Sequence, residues 1–342
     1  MSIPAHALSF LEPTWLTERL RLGGWPAAQV LSATAQPLTD AVAADAEIWR
    51  LHLVRHPENN TMPVSLILKL THWDATLSQE ARFYAVIAPH VAVRTPRCYF
   101  AGYFSAEDYF ALLMEDLAPF VPGDQVAGCN VRQARLAMET LARLHAECRG
   151  DLVRSLNWIG NCEREWSSAA DAFLAAWPRF LASFAPDLPA SAIQKGWEIG
   201  RQLLALEERL LHASEPTLVH GDYRAENLLF GPSDDDAEIT VLDWEEISAG
   251  NGLYDVAYLL LTSVDATLRR REEPALLASY ATMAGLDSTS VQRSYALARC
   301  TAISQVVLAA DDLSRGSSRQ RSLAHALAHR VLAGLADARL PL

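Results

Sequence analysis

The sequence has few cysteines, no excess of basic residues and no long hydrophobic run. The five cysteines lie at positions 98, 129, 148, 162 and 300 and form no C-x-x-C pair, so neither a common zinc-binding spacing nor a disulfide framework is indicated. Scattered cysteines of this kind are typical of a reducing compartment. The formal net charge is −12, whereas nucleic-acid-binding surfaces are normally basic, so we expect no nucleic-acid partner.

Two further absences concern membranes. No segment approaches the roughly 18 consecutive apolar residues of a transmembrane helix. The N-terminal stretch "MSIPAHALSFLEPTWLTERLRLGG" lacks a basic start followed by a sustained apolar segment, so no signal peptide is expected. These features predict a cytoplasmic protein without a membrane partner, and they leave monomer and homodimer equally open.

The hydrophobic patterns predict two parts with different secondary structure. A chain of 342 residues exceeds the usual size of one core, which favours two lobes or one large domain. The first part contains short strand-like runs and two helical patterns. The strand-like runs are 29–38, 46–55, 64–71, 94–104 and 109–117, and the helical patterns are 12–22 and 77–91. Residues 1–116 are therefore predicted to form a five-stranded sheet plus a helix.

The second part, residues 117–342, is predicted to be mostly helical. In residues 131–149, for example, apolar side chains recur on one helical face with charges opposite. Strand-like pieces near 218 and 240 interrupt this pattern, and the polar stretch "GPSDDDAE" between them is typical of a hairpin connection. The sequence thus predicts the α+β class, with a small β-rich lobe before a large, mostly helical one.

The predicted hairpin carries the residues with the clearest chemistry. "LVHGDYRAENLLF" places Asn227 five residues after Asp222, and "ITVLDWEEI" places Asp243 at the end of an apolar strand. Phosphoryl transfer from a nucleotide needs a carboxylate that orients the attacking hydroxyl, and oxygen ligands that hold Mg²⁺ on the phosphates. The competing interpretation is a turn in which Asp and Asn bind backbone groups.

These motifs, in this order, resemble the aminoglycoside phosphotransferase and choline kinase superfamily, relatives of the protein kinases. The step from Asp222 to Asn227 matches the kinase catalytic loop, and "DW" at 243–244 takes the place of the D-F-G motif. Four further segments resemble its ecdysteroid-kinase-like branch: "PVSLILKL", "QEARFY", "LLMEDL" and "GDQVAGC". The resemblance implies a bilobal protein-kinase-like fold, and a phosphotransferase that uses ATP (or GTP) and Mg²⁺.

The resemblance also implies a role for individual residues in the second lobe. Asp222 would orient and deprotonate the acceptor hydroxyl, while Asn227 and Asp243 would hold Mg²⁺. His220 can be interpreted in two ways. It either supports the loop, or it acts as a metal ligand or base. In the family this position mainly supports the loop.

In the first lobe, the resemblance implies that Lys69 contacts the nucleotide phosphates and pairs with an acidic residue. Glu80 is the best placed partner, and Glu107 and Asp108 remain alternatives. Two other interpretations stay open, an edge-strand lysine that points into water and a solvated charge at Glu80. At the junction of the lobes, the Glu115 carbonyl and the Leu117 amide would bind the adenine; these two positions complete the predicted cofactor-binding set.

One stretch departs from the kinase pattern. The first hairpin of a kinase lobe usually carries glycines that let the backbone close over the phosphates. The corresponding stretch here, "PLTDAVAADAEIW" at 37–49, contains no glycine, and no P-loop or G-x-G-x-x-G motif replaces it elsewhere. This departure keeps open the alternative of a non-catalytic nucleotide-binding or scaffold pseudokinase.

The predicted function is transfer of a γ-phosphate to the hydroxyl of a small molecule. Candidate acceptors are an aminoglycoside or macrolide antibiotic and a lipophilic alcohol. Four tryptophans lie in the segment expected to build the acceptor pocket, and helix packing is the competing interpretation for them: Trp158, Trp166, Trp177 and Trp197. A protein kinase is disfavoured because no A-P-E segment follows Asp243. A metal-dependent hydrolase would explain neither Lys69 nor the two-lobe plan.

Overall fold

A computed structural model describes most of the chain, in nine segments. These are residues 3, 5–38, 46–58, 61–72, 77–104, 109–160, 166–185, 188–233 and 238–339. The chain divides into two compact units, one formed by residues 1–90 and 94–119 and the other by residues 91–93 and 120–342.

The first unit is built on a five-stranded antiparallel sheet with the strand order β1-β2-β3-β5-β4. The strands are β1 (Val30–Pro37), β2 (Ala46–Arg55), β3 (Ser65–His72), β4 (Cys98–Phe104) and β5 (Tyr109–Glu115). The sheet has β3 at its centre, where Lys69 is opposite Ile48 on β2 and Leu112 on β5. The interpretation of Lys69 as an edge-strand residue is therefore wrong.

Two helical segments accompany this sheet. Helix α1 (Pro13–Leu22) begins with a proline in its first turn, where the missing N–H has no intrahelical role, and Gly23 caps its C-terminus. Its buried Leu16 and Leu20 belong to the same apolar core as Leu51, Leu66 and Leu68 of the sheet. Helix α2 (Leu77–Arg82) continues as a π-helical turn (Phe83–Ile87) and a 3₁₀ turn (Ala88–His90).

The second unit is mostly helical. Its helices are α3 (Val131–Glu147), α4 (Asp151–Ser155), α5 (Trp166–Phe184), α6 (Ala190–Leu211), α7 (Leu253–Thr262), α8 (Ala266–Met283), α9 (Ser288–Leu313) and α10 (Ser318–Asp337). The long helix α9 packs against α5, α6, α7 and α10 and forms the centre of the helical core. Helix α3 starts with a capping box, in which Asn130 and Gln133 bind each other's backbone N–H groups.

Short strands interrupt the helices where the sequence predicts them. Strands β8 (Leu228–Phe230) and β9 (Ile239–Val241) form the predicted hairpin, and β6 (Val121–Pro122) adds a third strand beside β8. Strand β7 (Thr217–Val219) pairs instead with β10 (Ser248–Gly250), a pairing that the sequence analysis did not anticipate. The predicted α+β class, with a β-sheet in the N-terminal part and a mostly helical C-terminal part, is confirmed.

Within the part of the chain that the structure describes, no helix is long and apolar enough to traverse a bilayer.

Candidate active site

The β8–β9 hairpin brings Asn227 and Asp243 to the same end of two paired strands. Leu228 is opposite Val241 in the hairpin register, and the Leu242 N–H donates to the Asn227 carbonyl at 2.9 Å. Asn227 therefore immediately precedes one strand, while Asp243 follows the other. Regular strand pairing fixes the backbone positions of both residues, as the sequence predicts for a pair of metal ligands.

The carboxylate of Asp222 is bound by side chains from its own loop and from α7. The Asn227 side-chain amide donates both to the Asp222 carboxylate and to its carbonyl, each at 2.9 Å. Arg224 forms an ion pair with the same carboxylate at 3.0 Å, and the Tyr258 hydroxyl donates to it as well. The Asp222 side chain keeps 21% of its surface exposed, so it is held firmly and remains accessible.

Burial is the main influence on the Asp222 carboxyl and raises its pKa above the usual range. The Arg224 guanidinium lowers this pKa, and the negative charge of Asp243 raises it further. A partly buried carboxylate with one cation and several hydrogen bonds is the environment expected for a group that orients a hydroxyl and accepts its proton.

The backbone around His220 is anchored by Asp255 at the start of α7. The Asp255 carboxylate accepts hydrogen bonds from the His220 and Gly221 N–H groups at 2.7 and 3.0 Å, and it also contacts the His145 ring at 3.2 Å. His220 Nε2 lies 2.9 Å from the Leu242 carbonyl. The His220 ring also packs against Trp244, with 4.7 Å between ring centroids. These are the contacts of a residue that supports the loop.

Asp243 has an unusual backbone conformation. Its φ is +65°, and among the described residues it is the one non-glycine residue with a positive φ. This region costs a residue with a side chain on the order of 1–3 kcal/mol, and such conformations cluster at functional sites. A strained aspartate at the end of the hairpin is an independent reason to assign the segment a chemical role.

In the first unit, the Lys69 ammonium lies 2.9 Å from the Glu80 carboxylate. Both residues are buried, with 8% and 2% of their surface exposed. Burying two charges is favourable only when they are paired with good geometry. The alternative of a solvated charge at Glu80 is therefore wrong, while the alternative partners Glu107 and Asp108 lie outside the described residues.

The end of β5 is fixed by hydrogen bonds on both sides. The Glu115 carboxylate accepts from the Arg97 N–H at 3.1 Å, and the Glu115 N–H donates to the Arg97 carbonyl at 2.8 Å. Asp116 pairs with Arg50 at 2.7 Å, and the side chain of Leu117 is buried. Burial raises the pKa of Asp116, but hydrogen bonds from Ser65, Ala118 and Arg50 outweigh it and hold this pKa below its usual value.

Two further sequence predictions concern the glycine-free stretch and the four tryptophans. Residues 39–45, the centre of the glycine-free stretch, lie outside the described residues. Trp177 is fully buried and stacks between Phe173 and Phe180, so helix packing is the correct interpretation for this tryptophan. Trp158 and Trp197 are partly buried, and the surroundings of the Trp166 side chain are not among the described features.

Comparison with known proteins places the chain in a family. A profile of the phosphotransferase enzyme family, APH, matches residues 53–293, which is well over half of the sequence. The chain belongs to the phosphotransferase enzyme family. The prediction of a phosphotransferase of the aminoglycoside phosphotransferase and choline kinase superfamily is confirmed at this level, and the narrower ecdysteroid-kinase-like branch stays a prediction.

Solved structures of phosphotransferases share the fold. A provisionally named aminoglycoside phosphotransferase from Ralstonia eutropha is 15% identical, with 96% of this chain and 99% of that chain covered and a TM-score of 0.60. The GDP complex of aminoglycoside 2'-phosphotransferase-IIIa is 13% identical, with coverage of 95% and 99% and a TM-score of 0.57. Choline kinase from Cryptosporidium parvum is 8% identical, with coverage of 94% and 95% and a TM-score of 0.55.

Two curated relatives match shorter stretches. Acyl-CoA dehydrogenase family member 11 from Gallus gallus is 34% identical over 130 residues, which cover 36% of this chain and 14% of the relative. Probable acyl-CoA dehydrogenase IBR3 from Arabidopsis thaliana is 54% identical over 41 residues, which cover 12% of this chain and 5% of the relative. The match thus spans only a small part of either relative.

Several residues of the site were missed by the sequence analysis. Arg224 and Tyr258 bind the Asp222 carboxylate, and Asp255 anchors the loop backbone together with His145. Arg224 could have been noticed, because it lies two residues after Asp222. Tyr258 and Asp255 lie on a helix about 35 residues further along, where the sequence shows only a mixture of apolar and polar residues.

Proposed function

We propose that this protein is a small-molecule kinase that transfers the γ-phosphate of ATP or GTP to a hydroxyl group. The observation that carries the proposal is the hydrogen bond between Asp222 and Asn227 just before β8, in a hairpin whose second strand, β9, is followed by the strained Asp243. Family membership supports phosphoryl transfer as the reaction.

The donor set around the hairpin fits a hard divalent cation. The Asn227 amide nitrogen donates to Asp222, which turns the amide oxygen to the other side of the group. An amide oxygen and the Asp243 carboxylate are ligands that Mg²⁺ accepts, with water completing the shell. When bound, Mg²⁺ would neutralise charge on the phosphates of the nucleotide.

In this proposal, Asp222 orients the acceptor hydroxyl and accepts its proton. Arg224 and Tyr258 hold the carboxylate, so that little reorganisation is needed when the hydroxyl attacks. Lys69, held by Glu80, would contact the nucleotide phosphates, and the backbone at Glu115 and Leu117 would bind the base. Structures of the same fold are named as complexes with GDP and with ADP, so both nucleotides belong in the test.

The names of similar structures supply candidate classes of acceptor. Structures of similar fold are named for aminoglycosides, spectinomycin, amicoumacin, choline and ethanolamine. The curated relatives are named acyl-CoA dehydrogenases, which adds hydroxyacyl-CoA thioesters as a candidate class. We propose a small hydroxyl-bearing molecule as the partner, and we expect neither nucleic acid nor membrane to be bound.

The test is acceptor-dependent consumption of ATP and of GTP by the purified protein with Mg²⁺. The acceptor panel contains aminoglycosides, macrolides, choline-like amines, lipophilic alcohols and hydroxyacyl-CoA thioesters. We expect nucleotide consumption with one class of acceptor, and a phosphorylated form of that acceptor in mass spectrometry. If the protein binds neither nucleotide in a thermal-shift titration, the proposed kinase activity is contradicted and the scaffold pseudokinase alternative takes its place.

A further inference from the structure

The 3₁₀ turn Ala225–Asn227 is held from behind by two polar side chains of the second unit. The Ala225 N–H donates to the Ser263 hydroxyl at 2.9 Å. That hydroxyl donates to the Gln125 side-chain oxygen at 3.3 Å, and the Glu226 N–H donates to the same oxygen at 3.4 Å. The first N–H groups of a helical turn have no partner within the turn, so these side chains fix its position.

Arg330 on α10 joins the two segments that supply these side chains. Its guanidinium is buried, with 4% of the residue exposed, and it donates to the Gln125 carbonyl at 2.7 Å and to the Val126 carbonyl at 2.8 Å. It also donates to the Thr262 carbonyl, next to Ser263 at the end of α7. The Gln125 amide nitrogen donates to that Thr262 carbonyl at 2.8 Å and closes the network.

The energetics favour a positioning role for Arg330. A buried guanidinium is costly unless its N–H groups are bound, and here backbone carbonyls bind it in a fixed geometry. Each of those carbonyls belongs to a segment that contacts the turn. The guanidinium therefore fixes the backbone from which Gln125 and Ser263 reach the turn.

Two other contacts limit movement of the turn. A Cβ atom added at Gly123 would lie 2.6 Å from the Ala225 carbonyl oxygen, so the backbone at Gly123 packs directly against the turn. At the first turn of α10, Arg319 lies 3.6 Å from the Glu226 carboxylate. Helix α10 thus contacts the turn through Arg319 and supports it through Arg330.

We propose that Gln125, Ser263 and Arg330 are positioning residues for phosphoryl transfer. They fix the 3₁₀ turn and, through it, the direction of the Asn227 amide, whose nitrogen binds Asp222 and whose oxygen is the proposed metal ligand. This proposal rests on the proposed function. Loosening the turn would weaken metal binding and the alignment of Asp222 while leaving the acceptor's own contacts in place.

The test compares Gln125→Met and Ser263→Ala with the unmodified protein. Gln125→Met removes the oxygen that accepts from Ser263 and Glu226 and keeps the side-chain length. Ser263→Thr keeps the hydroxyl that accepts from Ala225 and donates to Gln125, and it serves as the conservative variant. Arg321→Ala, which changes an exposed arginine on α10, is the matched control. Arg330→Met is the stronger variant, and the two smaller changes decide the question if it does not fold.

Three measurements are made on each variant. Hydrogen exchange reports the backbone of residues 224–228. Mn²⁺ binding in the presence of ADP and, separately, of GDP, followed by electron paramagnetic resonance, reports the metal site. Steady-state kinetics separate kcat from the KM of the acceptor. For Gln125→Met and Ser263→Ala we expect faster exchange in the turn, Mn²⁺ affinity lowered roughly 10–100-fold, a lower kcat and an unchanged acceptor KM. Ser263→Thr should keep most of the Mn²⁺ affinity, and Arg321→Ala should match the unmodified protein.

Two results would overturn the proposal in different ways. In the first, the unmodified protein binds Mn²⁺ and the Gln125 and Ser263 variants bind it equally well. This result would remove the positioning role and leave the proposed kinase activity intact. Absence of Mn²⁺ binding by the unmodified protein would contradict the proposed function and, with it, the positioning role.

Discussion

Among single residues, Lys69 and Glu80 give the clearest energetic argument. The two side chains form a buried ion pair between β3 and α2, eleven positions apart in the sequence. Breaking such a pair by removing one partner leaves a charge in the interior, whereas replacing both partners by apolar groups is often tolerated. Stability and activity should therefore respond differently to single and double substitutions.

We predict that Lys69→Met lowers the free energy of unfolding by about 3–5 kcal/mol, because the Glu80 carboxylate loses its cation. The double variant Lys69→Met/Glu80→Met should recover most of that loss and still be inactive, since the proposed contact with the phosphates is gone. Urea unfolding and a turnover assay measure the two effects. Wild-type stability of the single variant would contradict the prediction for this pair.

Contacts within the candidate site could be predicted from the sequence where the two partners are near in the chain. Asp222 and Asn227 lie on one turn, so their spacing alone indicates the contact. Arg330 lies 205 positions from Gln125, and no periodicity in the sequence indicates that contact. The same reason explains Asp255, which lies 110 positions from His145.

At the scale of elements, strand texture and helical periodicity predicted the sheet of the first unit and the β8–β9 hairpin. They did not predict that β7 pairs with β10, because each of these strands has only three residues and no turn signal connects them. Helical periodicity also did not indicate which element packs against the aromatic face of α5. In the structure this face packs against α6, where Gly196 lies directly against the Trp177 ring.

We predict that Gly196→Ala destabilises the protein although alanine favours a helix by up to about 1 kcal/mol over glycine. The new methyl group would collide with the Trp177 ring, which is fully buried and stacks on Phe173 and Phe180. Overpacking of this kind costs about 1–3 kcal/mol. The measurement is the melting temperature of Gly196→Ala. A value equal to or above that of the unmodified protein would contradict the prediction and show that the α5–α6 packing can adjust to the methyl group.

At the scale of the whole molecule, one buried carboxyl should shape the pH dependence of stability. Glu207 on α6 is buried, and burial raises its pKa to about 8. The unfolded chain releases this proton near the usual glutamate value of about 4.3. Between these two values the folded protein holds a proton that the unfolded chain has lost, so stability falls as the pH rises through this window.

We predict that Glu207→Gln removes this fall, because glutamine is uncharged at every pH. Above pH 8 the variant should melt a few degrees higher than the unmodified protein, and near pH 5 the two should be nearly equal. The measurement is the melting temperature from pH 5 to pH 9. Glu208→Gln, at an exposed neighbouring position, is the control and should follow the unmodified protein.

The proposed kinase activity depends most on Asp222, as the residue that would activate the acceptor hydroxyl. Its most direct test is single-turnover transfer of labelled γ-phosphate by Asp222→Asn and by the unmodified protein. Asparagine can still accept the hydrogen bond from Asn227, so folding and nucleotide binding should persist. We expect a loss of transfer of at least about 100-fold, within the usual range for a general base, with nucleotide affinity changed little. Transfer by Asp222→Asn at the rate of the unmodified protein would contradict it.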